Sequence, residues 1–196
     1  MHHSPDFSGL QSLILNRLTK ELSGNLHYHD FEHTKDVVES ILTISSGEGI
    51  TNENDLLILK TAALMHDTGF LKSYDDHEQR SCELAVEILP EYGYSSDQID
   101  AIKKIILATK MPQNPQTHFE RIICDADLDY LGREDYGKIA ERLFLELKSL
   151  GKVTSREEWV EIQSDFLSNH TYWTDHSQNI REDVKQNNLR RILNFR

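Results

Sequence analysis

Two cysteines in 196 residues, Cys82 and Cys124, are too few and too far apart for a disulfide framework or a zinc-binding pair. They are expected to be buried free thiols, which places the chain in a reducing cytoplasm. No apolar run approaches the roughly 18 residues of a membrane span. The opening MHHSPDFSG has no basic segment followed by an apolar one, so no secretory signal is expected. His2 and His3 are given no function. Cations are also in short supply: 21 Lys and Arg stand against 33 Asp and Glu, a net charge of −12. That argues against nucleic-acid polymers as partners, because their affinity comes mainly from cations on phosphates. Sustained alternation and Asn-Gly turns are missing as well, so strands are not expected.

What remains is helical periodicity. Leu10, Leu13, Ile14, Leu18 and Leu22 mark a first helix, stopped by Gly24. Val37 to Ile44 mark a second, and Leu56 to Met65 a third that ends at His66-Asp67. A fourth runs from about His77 to Leu89. Ser95 or Ser96 caps a fifth bearing Ile99, Ile102, Ile105 and Ile106. The two prolines of MPQNPQT make residues 111–117 a loop. RIICDADLDYL forms a short sixth helix, and Glu134 to about Leu150 a seventh. Ser155 with Glu158 reads as a capping box opening an eighth. The last covers roughly residues 175–194. The expectation is an all-α fold of about nine helices in one domain, with a core at about 25–135 and helices 136–196 packed on it.

Four places carry candidate chemistry. In YHDFEH, His29 and His33 lie four apart, on one helix face. ALMHDTG delivers His66 and Asp67 at the end of an apolar helix, where burial costs several kcal/mol unless something compensates. His77-Glu78 opens the fourth helix. CDADLD sets Asp125, Asp127 and Asp129 in an apolar run. Each has a bland reading as a helix cap, a dipole partner or a solvated face. Together they are the donor types that suit Mn, Fe, Co, Zn, Ni or Mg.

The order of these residues resembles that of HD-domain metal-dependent phosphohydrolases: a histidine, a His-Asp doublet after an apolar helix, then a distant aspartate. Here those are His33, His66-Asp67 and Asp127, separated by 33 and 60 residues. ALMHDTG is similar to the family's "A-x-x-H-D-x-G" segment. ADLD looks like the helix that supplies its last ligand. The resemblance implies one divalent ion on His33, His66, Asp67 and Asp127, with Asp67 central to activating water. YHDFEHTKDV further resembles "Y-H-N-x-x-H-x-x-D-V" of class I cyclic nucleotide phosphodiesterases. That likeness makes His29 the general acid for the leaving oxygen.

The chain also departs from those patterns. Phe70 stands where the phosphodiesterase doublet continues "H-D-x-x-H", and no position can be given to their purine-gripping glutamine. HEQRS matches another HD pattern, "H-E-x-x-S", so His77 and Glu78 are candidates for a second metal or a phosphate. Thr109 or Lys110 replaces a further histidine of two-metal members, which favours one firmly held ion.

Asp125 is assigned to orienting water, with a helix cap as its bland reading. Lys72 and Lys110 are candidate phosphate contacts, and Arg181 and Lys185 either line a rim or are ordinary surface charges. His118, His170 and His176 are left as surface or core residues. The expected function is hydrolysis of a small phosphorylated molecule, a nucleotide mono- or cyclic diester, by metal-activated water. A non-catalytic nucleotide- or metal-binding regulator and a di-iron oxygenase are the alternatives. No membrane partner is expected, and the sequence is compatible with a homodimer.

Overall fold

The computed structural model describes residues 4–194, so His2 and His3 lie outside the described residues. Among them the fold is all-α, with nine helices and no strand. These are α1 (Phe7–Glu21), α2 (Phe31–Gly47), α3 (Glu53–Met65), α4 (His77–Ile88), α5 (Ser96–Ala108), α6 (His118–Asp127), α7 (Tyr136–Ser149), α8 (Arg156–Asn169) and α9 (Asp175–Leu193). Short 3-10 turns follow α3 (Thr68–Leu71), α4 (Leu89–Tyr92) and α6 (Asp129–Gly132). No helix is long and apolar enough to cross a membrane among the described residues.

Side-chain caps fix where the helices start, because the first-turn N–H groups have no intrahelical acceptor. Asp30 accepts from the amides of Glu32 and His33, which sets the first turn of α2. Ser95 and Gln98 form a full capping box on α5. A second box, Thr117 with Glu120, starts α6 at His118 rather than at Arg121. The expected box on α8 is only half made: Ser155 accepts from the Glu158 amide, but the Glu158 carboxylate turns to Thr154.

Two apolar clusters organise the fold. The larger joins α1 to α6 through residues such as Leu10, Ile14, Ile41, Leu59, Ile102 and Ile122. The smaller joins Tyr28 and the 128–131 segment to α7, α8 and the end of α9. Ala126 belongs to the first cluster and Leu128 to the second. Asp127 therefore sits at their junction, where a polar site is flanked by packed walls on both sides.

Gly69 follows the His-Asp doublet for a reason of space. Its φ is not in the left-handed region. A Cβ added there would stand 1.9 Å from the carbonyl oxygen of His77. The missing side chain thus lets the turn after α3 press against the first residue of α4, which brings His77 beside Asp67.

Candidate metal centre

Three helix ends deliver four donors to one point. His33 comes from the first turn of α2, His66 and Asp67 from the end of α3, and Asp127 from the last residue of α6. His33 Nε2 lies 3.2 Å from Asp127 Oδ1 and 3.4 Å from Asp67 Oδ2. His66 Nε2 lies 3.3 Å from Asp67 Oδ2 and 3.5 Å from Asp127 Oδ1. Ligand atoms of His33, His66 and Asp127 all fall within 4.8 Å of one another. His33, His66 and Asp67 are all buried.

The donors fit a cation on grounds beyond proximity. His33 Nε2, His66 Nε2 and Asp67 Oδ2 are buried, yet none makes an aligned hydrogen bond. Orphaned buried polar atoms are costly, and a shared cation would satisfy all three. Neighbouring ligands held at about 2.1 Å from one ion stand about 3 Å apart, close to the spacings seen. His66 Nδ1 lies 2.7 Å from the Ala63 carbonyl oxygen. A carbonyl only accepts, so Nδ1 carries the proton and Nε2 presents its lone pair to the cluster.

The electrostatics point the same way. Burial alone would lower the pKa of His33, but the facing carboxylates of Asp127 and Asp67 outweigh it and raise it to about 9. Burial would likewise lower His66, and Asp67 and Asp127 again raise it. Burial works to raise Asp67 and Asp127, but the two imidazoles hold both below the usual carboxylate range. The cluster favours positive charge, which a divalent ion would supply in place of protons.

Around this cluster lies a second layer. His77 stacks on Phe70 with ring centroids 4.0 Å apart. Its Nε2 is 3.5 Å from Asp67 Oδ1 and 3.6 Å from Glu78 Oε1. The other oxygen of Asp67 faces the first pair of imidazoles, so the carboxylate spans both groups. Phe70 also lies 4.5 Å from the ring of His29. An apolar ring therefore packs against both His29 and His77, whose own ring centroids are 6.3 Å apart, at the position where the phosphodiesterase pattern carries histidine.

His29 is held by a residue that sequence reasoning missed. Glu146 of α7 is fully buried, and its carboxylate meets His29 Nδ1. It also accepts the backbone amides of Tyr28 at 2.8 Å and His29 at 3.0 Å. Burial would raise Glu146, but His29 outweighs it and lowers its pKa. A glutamate three residues after Leu143 on a helix with Ala140 and Leu147 was the available signal: a carboxylate on the inward side.

Several expectations are corrected. Asp125 is fully buried but turns away from the cluster. It accepts from the amides of Trp173 and Thr174, each at 2.8 Å, and from the Thr174 hydroxyl at 2.6 Å. It therefore locks α6 to the cap of α9 and does not orient water. Lys72 is exposed and borders a different depression, with Tyr74 and Leu150. Lys110 is exposed and pairs with Asp76 at 2.9 Å. Neither lines the cavity that holds Asp67 and Asp127. Arg181 and Lys185 are structural: Arg181 forks onto buried Asp129 at 2.7 and 3.0 Å. Lys185 is buried and donates to the His170 carbonyl and to Glu182.

Two predictions follow from these supports. Asp125→Ala leaves three donors without their acceptor, so it should cost about 2–4 kcal/mol of folding stability. Metal content of the folded protein should stay that of wild type, read by urea denaturation and elemental analysis. The second concerns His170, whose pKa is lowered to about 4 by burial and by Lys185. Its contribution is present above pH 6.5 and is lost as pH falls towards 4, about 3 kcal/mol in all. His170→Gln should flatten that loss in denaturation midpoints measured across the range on chelator-treated protein.

The sequence profile of the family described as HD domain matches residues 30–129. This chain belongs to the HD-domain family. The match encloses His33, His66, Asp67 and Asp127, while His29 falls just before it and Glu146 well beyond it, in α7. HD domains bind divalent metals, and His33, His66 and Asp127 are placed for one here. An uncharacterised protein of Clostridium beijerinckii is 29% identical over 104 residues, covering 50% of this chain and 62% of that protein. The solved structure of a predicted HD superfamily hydrolase from an uncultured Thermotogales bacterium is 22% identical. It superposes with a TM-score of 0.64, covering 97% of this chain and 91% of the other. That likeness carries the fold.

Proposed function

We propose that this HD domain hydrolyses a phosphate ester of a small molecule, with nucleotide mono- or cyclic diesters as the first class to test. The supporting observation is the convergence of four metal-type donors beside a histidine backed by a buried glutamate. His33, His66, Asp67 and Asp127 would hold the ion. When bound, a divalent cation supplies Lewis-acid polarisation of a phosphoryl oxygen and a water ionised near neutral pH.

This chain's own residues account for the rest. Glu146 engages Nδ1 of His29 and leaves Nε2 of that ring for the cavity that His29 lines. The buried carboxylate fixes the orientation of the ring, so Nε2 is the nitrogen that would carry a proton to the leaving group. As water oxygen bonds to phosphorus and the ester P–O bond breaks, His29 passes that proton to the leaving oxygen. Solvent then returns a proton to the imidazole. Phe70 packs against both His29 and His77 and gives that side of the site an apolar ring.

The test is a panel of cyclic mononucleotides, nucleoside mono-, di- and triphosphates and bis-p-nitrophenyl phosphate. Each is assayed with manganese, magnesium, cobalt and iron, with bound metal counted per chain. Ester hydrolysis that disappears in Asp67→Ala supports the reading. Tight nucleotide binding without turnover would favour a binding regulator, and two irons with oxygen uptake an oxygenase.

A further inference from the structure

Two donors of the metal centre, Asp67 and Asp127, open into a cavity of about 250 Å³. At one end stand Asp67, Asp127, His29, His77 and Glu78. The rest is a trench between α7 and α8. Tyr136, Ala140, Leu143 and Leu147 form one wall, at the three- and four-residue spacing of a single helix face. Trp159, Ile162 and Phe166 form the other at the same spacing. The two helices are tied at Arg156 to Glu141 and at the Tyr136 hydroxyl to Gln163, at 2.6 Å. Their backbones otherwise stay largely apart, so the apolar faces meet through side chains such as Phe144 and Trp159 and leave the trench between them.

Among the described residues, no lysine or arginine lines this trench. The nearby cations are already committed. Arg142 is bound to Asp30, Glu32 and the His27 carbonyl, and Arg133 to Asp36 and Asp135. A larger groove of about 940 Å³ lies behind the trench and carries Arg156 and Arg191, but no donor of the metal centre lines it. Tyr136, Ala140, Trp159 and Gln163 border both spaces and form the wall between them.

We propose that the trench binds an uncharged aromatic or apolar body of the substrate, so that the site selects esters with a single phosphoryl group and rejects molecules carrying further anionic groups. Burying an apolar group there is favourable roughly in proportion to its area. A second anionic group would be desolvated without a partner cation, within reach of three carboxylates. This inference rests on the hydrolase reading for its chemistry, though not for its binding preference.

The test is calorimetric titration of protein loaded with one equivalent of manganese, using phosphonates that no hydrolase can turn over. Phenylphosphonate should bind about tenfold or more tighter than methylphosphonate, given the added apolar area. 4-Carboxyphenylphosphonate should lose most of that gain. Ile162 is 41% exposed, so Ile162→Lys is tolerated by the fold. It should weaken phenylphosphonate and strengthen the carboxyphenyl compound relative to wild type. Equal binding of the methyl and phenyl compounds overturns the proposal, as does an unpenalised carboxylate or no binding of any phosphonate. An aryl preference in a protein that hydrolyses no ester would keep this inference and sink the hydrolase reading. Ester hydrolysis without an aryl preference would do the reverse.

Discussion

Asp127→Asn should leave the chain folded and its metal centre empty. Bound manganese is expected to fall from about one per chain to near none, and ester hydrolysis by about a thousandfold or more. Asparagine keeps the volume at the junction of the two apolar clusters but removes the charge that faces both imidazoles, 3.2 Å from His33 and 3.5 Å from His66. The variant also separates metal binding from folding. A cation that binds only the folded state raises its melting temperature in step with concentration. Manganese should therefore stabilise wild type and leave Asp127→Asn unmoved.

The pH dependence has a definite sign. The pKa of His33 is raised from 6.5 to about 9 in the metal-free fold. Its contribution to stability is fully present below pH 6.5 and is lost as pH rises through 9. Metal must displace those protons, so its apparent affinity should weaken as pH falls below about 9. Alkali between pH 6.5 and 9 should therefore destabilise the metal-free protein, whereas His33 should contribute no pH dependence in that window once metal is saturating.

The second large effect belongs to His29 and Glu146. His29→Ala should keep its metal yet lose about 10²–10⁴ in turnover on alkyl esters, whose oxygen leaves poorly without a proton. On bis-p-nitrophenyl phosphate the loss should be much smaller, because p-nitrophenolate leaves unprotonated. Glu146→Gln should show the same split, more weakly, since the amide still accepts the Tyr28 or His29 amide but no longer balances an imidazolium. Loss of metal in His29→Ala would make that residue a ligand. An equal loss on both esters would remove its role as acid.

How far the site could be read from sequence depended on local contrast. His66-Asp67 stood out because it ends an apolar helix, where structure alone prefers leucine. His33 and Asp127 acquired meaning from their register to it. Phe70 was visible as a departure, and the fold shows its consequence as a ring packed against both His29 and His77. Glu146 was not visible in this way. It is 117 residues from His29, and a glutamate in a helix is ordinary until its neighbours are known to be buried.

Asp125 and Asp127 illustrate the opposite difficulty. They are two residues apart in one short helix, so about 200° separates their directions, and sequence could not say what each direction meets. One reaches the imidazoles and the other the cap of α9. Lys185 read as surface because charge usually is, but the His170 carbonyl and Glu182 give it partners inside. The trench was illegible for a similar reason. Its walls are two regular amphipathic faces, and only the fold shows that they stand apart.

One divalent ion is expected among His33, His66, Asp67 and Asp127. An anomalous difference map from manganese-soaked crystals tests it most directly. The expected result is a peak within bonding distance of His33 Nε2, His66 Nε2 and both carboxylates. A peak elsewhere, or none at these four residues in crystals of protein that hydrolyses esters with manganese, would contradict it.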